Sequence, residues 1–212
     1  MDIAKLKKRA EAGDAESQFE LGLHYCAYED NYDATLLWYR KAAEQGHAEA
    51  QLYLAMLLED KGGRKPDLVS ALPWYQRAAA QGQPDALKRL GEMYAEGQCL
   101  PYDPVKAEEC FRKAVAGFWR AAEEDDYSLA MHGLGLMLIN GIGVARNVAE
   151  AVKWFQKAAE LDYNEAQFIL AELYADGRGV PRDPGKAMEL YRQAAASGHE
   201  GAKERLDALR LS

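Results

Sequence analysis

The stretch AQFILAELYADGRGVPRD, residues 166–183, decides the fold. Within it, the small Ala166, then Leu170 with its small neighbour Ala171, and then the aromatic Tyr174 follow one another at helical spacing. This spacing predicts an amphipathic helix. Gly177 and Gly179 follow, and glycine readily adopts the positive φ that ends a helix. The stretch therefore predicts one helix, here called helix A, and the turn after it.

A second helix, helix B, begins directly beyond this turn. The side chain of Asp183 can accept a hydrogen bond from the first helical turn, and Pro184 stands where a missing N–H costs nothing. Leu190 and Tyr191, with Ala194 one turn on, continue the helical spacing. The segment therefore predicts a helical hairpin.

This hairpin pattern returns through almost the whole chain. Helix A anchors stand 33, 36, 44 and 36 residues apart, at Ser17/Leu21/Gly22/Tyr25, Ala50/Leu54/Ala55/Leu58, Ala86/Leu90/Gly91/Tyr94, Ala130/Leu134/Gly135/Leu138 and Ala166/Leu170/Ala171/Tyr174. Helix B pairs recur at Trp38-Tyr39, Trp74-Tyr75, Cys110-Phe111, Trp154-Phe155 and Leu190-Tyr191, each seven residues after Asn31, Asp67, Asp103, Asn147 or Asp183. Helices approach closely only where one lacks bulk, so Gly22, Ala55, Gly91, Gly135 and Ala171 mark the predicted A–B contacts.

Composition excludes several function classes. The chain has 212 residues, with Lys+Arg 26 against Asp+Glu 34, a net charge of −8, which argues against partners held by phosphate neutralisation such as nucleic acid. Neither a signal-peptide core nor a stretch approaching a membrane span is visible, so membrane insertion is not expected. Three cysteines at irregular spacing favour reduced thiols and a cytoplasmic location.

With these motifs the chain resembles the Sel-one-like repeat (SLR) family, α/α solenoids related to tetratricopeptide repeats. The likeness is clearest in residues 166–183 and covers roughly residues 13–209. It implies an all-α fold, a right-handed α/α superhelix of five hairpins with a capping helix at each end, and a non-enzymatic adaptor that binds other proteins. We expect a single domain over residues 1–212, with caps at 1–12 and 199–212 and repeats at about 13–46, 47–82, 83–126, 127–162 and 163–198.

The resemblance also predicts which side chains face a partner. Hairpins of this type present helix A to the concave side, and the positions two before and two after the repeated Leu lie off the buried stripe. The first set is Phe19, Leu52, Lys88, His132 and Phe168, and the second is Leu23, Met56, Glu92, Leu136 and Glu172. Phe19, Leu23, Leu52 and Met56 are expected to form an exposed apolar patch, which often marks a partner site. The alternative is that some of them pack against the neighbouring A helix.

An insert of eight residues is a second candidate site. From Cys110 to Ala130 the chain takes 20 residues where the other repeats take 12, and residues 116–127 hold Trp119 and an acidic run at 123–126. Two added turns of helix B would accommodate the insert. Trp119 then either anchors a basic partner selected by the acids or packs on the next repeat.

Residue patterns for chemistry are weak. The four histidines are scattered among repeats, and no His-Glu-x-x-His or paired-cysteine metal spacing occurs, so no cofactor or metal is expected. The Gly-x-Gly-Val loops lack a third glycine and a preceding strand. We therefore predict a scaffold for a protein or peptide partner. A neutralising binder of a toxin or effector enzyme and a hydrolase with an unrecognised site are the alternatives.

Overall fold

A computed structural model describes residues 2–60, 67–124 and 127–210. Within these ranges the chain forms twelve helices and no strand, which confirms the all-α prediction. The helices are α1 (Ile3–Glu11), α2 (Ala15–Tyr28), α3 (Tyr32–Glu44), α4 (Ala48–Glu59), α5 (Leu68–Ala80), α6 (Pro84–Glu96), α7 (Pro104–Glu124), α8 (Ser128–Asn140), α9 (Val148–Glu160), α10 (Asn164–Asp176), α11 (Pro184–Ala196) and α12 (Glu200–Arg210).

Helices α2 to α11 pair as the five predicted hairpins, in which the even-numbered helices are A and the odd-numbered helices are B. Consecutive helices pack on one another within a hairpin, as α2 does on α3 and α10 on α11, and from one hairpin to the next, as α3 does on α4. The contacts divide the chain into two compact units, one ending at Ala114 and one beginning at Val115, inside α7. The single domain over residues 1–212 and the superhelical hand stay predictions.

The helix boundaries lie where the capping residues predict. Asn31 accepts a hydrogen bond from the Ala34 backbone N–H at 3.1 Å, and the other four predicted caps accept from the residue three further on in the same way. Gly141 ends α8 at a φ of 69°, a conformation that a residue with a Cβ adopts only with strain. Short polar caps and left-handed glycines thus set the ends of these helices.

Small residues of helix A contact aromatic rings of helix B. A Cβ placed on Gly135 would lie 2.7 Å from two ring atoms of Phe155, which is fully buried, and Gly22 and Gly91 face Tyr39 and Phe111 in the same way. The ring occupies the space that a methyl group would need. These contacts confirm the predicted role of the three glycines.

We expect Gly135→Ala to lower the free energy of unfolding by about 1–3 kcal/mol, because the added methyl group overpacks the contact with Phe155. Gly185→Ala is the matched control, since a Cβ there meets only an Asp183 carboxylate oxygen at 3.4 Å. It should raise stability by about 0.5 kcal/mol, as alanine favours the helix. Urea titrations measure both, and equal effects would contradict the steric explanation.

A second recurring contact joins glutamines of neighbouring helices. The Gln51 amide donates to the Ala43 carbonyl at 3.1 Å, and its Oε1 accepts from Gln81 at 2.8 Å. The buried Gln167 donates equivalently to Ala159, but its Oε1 accepts no hydrogen bond from the described residues. Ser197 stands where Gln81 stands in the earlier hairpin, 30 residues after the inner glutamine.

We therefore expect Ser197→Gln to raise the free energy of unfolding by about 1 kcal/mol, because its side-chain amide would donate to the unpaired Gln167 Oε1. Ser197→Glu has nearly the same shape but no donor in its ionised form, so it should give no such gain. Thermal unfolding of the two variants beside the parent chain measures the difference. An equal rise in both would assign the effect to packing rather than to the hydrogen bond.

Candidate site on the A helices

Positions two residues before the repeated Leu do not face solvent as expected. Phe19 is 5% and Leu52 is 6% exposed, so the expected exposure of these two side chains is wrong. The Phe19 ring lies 4.9 Å from the His47 ring and 5.3 Å from the Tyr53 ring, both on the next A helix or its cap. Phe19 therefore packs against the neighbouring A helix and buries apolar area there, which was the alternative to an exposed patch.

The same position in the second unit also contacts the beginning of the next A helix. Phe168 stacks on His199 with ring centroids 4.3 Å apart, and His132 lies 5.2 Å from Tyr163. The His199 Nδ1 accepts from the Ala202 N–H at 3.1 Å, and its Nε2 lies 3.0 Å from a carboxylate oxygen of Glu165. His47 has the corresponding contacts, so these two histidines serve as helix caps.

Positions two residues after the repeated Leu reach the surface to different degrees. Met56 is 49% exposed, whereas Leu23 and Leu136 are half-buried. Lys88, of the other set, and Glu92 form an ion pair with 2.8 Å between Nζ and Oε1. Among the four apolar side chains expected to form the patch, only Met56 is therefore largely exposed, and Leu52, one turn earlier on the same helix, is buried.

A cavity of about 510 Å³ opens between α4 and α6 in the first unit. We call it the α4–α6 cavity. Its lining residues are Leu52, Met56, Glu59, Asp60, Tyr75, Asp85, Lys88, Arg89 and Glu92. It therefore combines two apolar side chains of α4 with a surround of four acids and two bases, and it brings together four of the predicted site residues, Leu52, Met56, Lys88 and Glu92.

Three side chains joined by hydrogen bonds form one wall of this cavity. Arg89 Nε donates to Glu59 Oε1 at 2.9 Å, and the Tyr75 hydroxyl donates to Glu59 Oε2 at 2.6 Å. Burial, with this hydrogen bond to the carboxylate, raises the pKa of Tyr75 far above its usual range. The three residues come from α4, α5 and α6, so the group fixes the wall to two hairpins.

Asp85 is an acid of the cavity whose ionised form is disfavoured by burial. Burial raises the pKa of its carboxyl above the ordinary 3.8, and the Lys88 ammonium opposes only part of this shift. None of the described residues forms an ion pair with it, since Lys88 pairs with Glu92. At neutral pH the chain therefore holds a partly buried carboxylate at a cost in stability.

This cost predicts the effect of Asp85→Asn. A raised folded-state pKa means that Asp85 favours folding below pH 3.8 and that this contribution is lost as the pH rises through the raised value. The variant cannot ionise, so it should unfold at higher urea concentration than the parent at about pH 7 and at the same concentration at about pH 3. Glu44→Gln, at an exposed carboxylate, should show no such gain, and a loss of stability in Asp85→Asn at neutral pH would contradict the assignment.

The second unit has its own cavity of about 460 Å³ between α10 and α12, lined by Phe168, Glu172, Gly201, Glu204, Arg205 and Ala208. Arg205 Nε and a terminal nitrogen each donate to Glu172 at 2.9 Å, and Tyr191 also donates to this carboxylate. The Arg205 hydrogen bonds hold the pKa of Glu172 below its ordinary value. A Tyr–Glu–Arg group thus recurs in the second unit.

The insert extends helix B, as predicted. Helix α7 has 21 residues where the other B helices have 13. Within the second unit, Trp119 meets Trp154 edge to face at 5.7 Å, and the buried Phe118 faces Gly133. The packed alternative therefore describes Trp119 best. Of the acidic run, Glu123 is exposed, and residues 125–126 lie outside the described residues.

Five lining residues of the α4–α6 cavity were not predicted as site residues: Glu59, Asp60, Tyr75, Asp85 and Arg89. One signal was available, because Arg89 and Arg205 each directly precede the repeated Leu, and both pair with a glutamate of the preceding A helix. Among residues 2–60, 67–124 and 127–210, no group of three or more His, Cys, Asp or Glu could hold a metal ion. None of the helices in these ranges is long and apolar enough to cross a membrane.

The profile of the Sel1 repeat matches five consecutive segments, residues 15–47, 48–83, 84–117, 128–163 and 164–199. The chain belongs to the Sel1 repeat family. Its repeat boundaries agree with the predicted hairpins to within a few residues, apart from the insert, which the profile omits from residue 118 to 127. Proteins with Sel1 repeats generally mediate protein–protein interactions.

Solved Sel1 repeat structures share this fold. A Sel1 repeat protein from Oxalobacter formigenes is 27% identical, with a TM-score of 0.62 over 93% of this chain and 79% of that chain. A structure from Klebsiella pneumoniae subsp. pneumoniae is 22% identical, with a TM-score of 0.63 over 97% and 98% of the two chains. A curated relative, DAP3-binding cell death enhancer 1 of Rattus norvegicus, is 30% identical over 161 residues, and the match covers 61% of this chain but only 31% of that relative's length.

Proposed function

We propose that this Sel1 repeat chain is a non-enzymatic scaffold that binds a protein or peptide partner on the exposed face of its A helices. The observation that carries the proposal is the α4–α6 cavity, in which the half-exposed Met56 and the side chain of Leu52 form an apolar floor inside a charged surround. An apolar floor gives binding energy, and a charged rim gives orientation and selectivity. The name of the rat relative, which records binding to DAP3, is in keeping with this role.

Preformed walls support the same function. The Tyr75–Glu59–Arg89 group joins three helices around the cavity, and Arg89 donates further to Gln98 at 2.8 Å. A surface that is already ordered loses little conformational entropy when a partner binds. Extended segments and single helices are suitable ligands, because they need only one concave surface.

Site-specific photo-cross-linking tests this proposal. A photoreactive phenylalanine analogue is introduced at Met56, at Leu23 or, as the control, at Val69, which is 76% exposed at the beginning of helix α5. We expect the two A-helix positions to form covalent adducts with one and the same native protein, because both side chains lie off the buried stripe of their helices. Mass spectrometry identifies the adduct, and circular dichroism confirms that each variant is folded.

Adducts that form only at Val69, or equally at all three positions, would contradict binding on the A helices. If the captured protein is an enzyme whose activity falls on binding, the scaffold acts as a neutralising binder. If it remains active in the complex, the chain acts as an adaptor.

A further inference from the structure

The α4–α6 cavity carries more information than the presence of a binding surface, because its charges are unevenly matched. Its two bases are both engaged: Lys88 Nζ lies 2.8 Å from Glu92, and Arg89 pairs with Glu59 and, at 3.3 Å, with Glu92. Neither base therefore offers an unpaired positive charge to a ligand. An anionic ligand would have to displace an existing ion pair.

The acids of the cavity are in excess. Among the described residues, four acids and two bases line it, so this part of the lining has a net charge of −2. After the ion pairs of Lys88 and Arg89 are assigned, Asp85 is an acid with no cationic partner among the described residues. A positively charged group placed beside Asp85 would relieve the cost of its burial, since an opposite charge favours the ionised carboxyl.

The apolar side chains of the cavity, Leu52 and Met56, favour an apolar group in the ligand. Met56 is 49% exposed although it belongs to the same cavity as the buried Leu52. Covering a half-exposed thioether side chain with an apolar group removes that surface from water, and the flexible methionine adapts to different apolar shapes. The ligand therefore needs a large apolar side chain as well as a cation.

We propose that the α4–α6 cavity binds a peptide segment of the partner that carries a basic residue next to a large apolar one. This proposal rests on the proposed scaffold function. A Leu-, Met- or Phe-like side chain of the segment covers Leu52 and Met56, and a neighbouring Lys or Arg pairs with the Asp85 carboxylate. The net charge of −8 of the whole chain adds attraction for a basic segment. The preformed Tyr75–Glu59–Arg89 wall bounds the cavity on one side.

The proposal is tested first by peptide selection. A library of short random peptides displayed on phage is selected against the purified full chain, and the enriched peptides are synthesised with a fluorescent label. We expect the enriched sequences to contain Lys or Arg close to a large apolar residue. Fluorescence anisotropy then measures their dissociation constants, which should increase with salt concentration because the contact is partly electrostatic.

Variants assign the two contacts. Asp85→Asn should weaken the binding of an enriched peptide by about tenfold, and Met56→Ser by a similar factor. Glu44→Gln and Val69→Ser, which match the charge loss and the apolar truncation at exposed positions outside the cavity lining, should leave the affinity unchanged. Since Asp85→Asn is expected to be more stable than the parent, its loss of binding would not come from unfolding.

Lys88→Ala is expected to change the peptide affinity in the opposite direction. The ammonium of Lys88 is close enough to lower the pKa of Asp85, so it competes with a cation of the ligand. Its removal also leaves Glu92 without this partner. We expect the variant to bind enriched peptides several-fold more tightly, which a purely structural role of Lys88 would not produce.

Three results would overturn the proposal: enrichment of acidic or uncharged peptides, unchanged affinity in Asp85→Asn, or no peptide enriched above a surface without protein. If cross-links at Met56 and Leu23 persist beside any of these results, the scaffold function stands and only the ligand class is wrong. If cross-links and enriched peptides are both absent, the scaffold function itself fails.

Discussion

The close contact between a B-helix ring and a residue without bulk on helix A is the constraint on which each hairpin depends. Phe155 against Gly135 and Tyr39 against Gly22 show its geometry, in which the ring lies where a Cβ would be. This contact fixes how near the two helices approach and therefore which side chains of helix A remain on its outer face. The site follows from it, because Met56 reaches the surface while Leu54 is fully buried.

Polar contacts then link one hairpin to the next within each unit. Gln51 donates to the Ala43 carbonyl of the preceding hairpin, and the capping histidines His47 and His199 contact glutamates of the preceding A helix. The same histidines cap helix ends that would otherwise leave backbone groups unpaired. Repeat proteins bury their faces by stacking, so such junctions add to the stability that the hairpins provide. The A-helix surface is consequently an ordered one.

Asp85 lowers the stability of the fold, but its carboxylate is the group that the proposed ligand would bind. Asp85 is partly buried and forms no ion pair with the residues that the structure describes, which costs folding free energy, whereas the neighbouring Arg89 and Glu59 satisfy each other across two helices. Stability alone would favour an uncharged residue at this position. A cationic group of a bound segment would satisfy the carboxylate, which is the physical basis of the recognition role that we propose for the cavity.

The sequence by itself determined that the chain forms five consecutive hairpins and where their helices make close contact. Helical spacing, capping residues and glycines act locally or within one repeat, so they can be recognised without the tertiary structure. It also determined the family and the extension of α7. Only the tertiary structure decided that Phe19 and Leu52 are buried whereas Met56 is exposed, because the direction of these side chains depends on the next A helix along the chain. The Glu59–Arg89 pair joins residues 30 positions apart, and the state of Asp85 depends on burial, so neither could be read from local spacing.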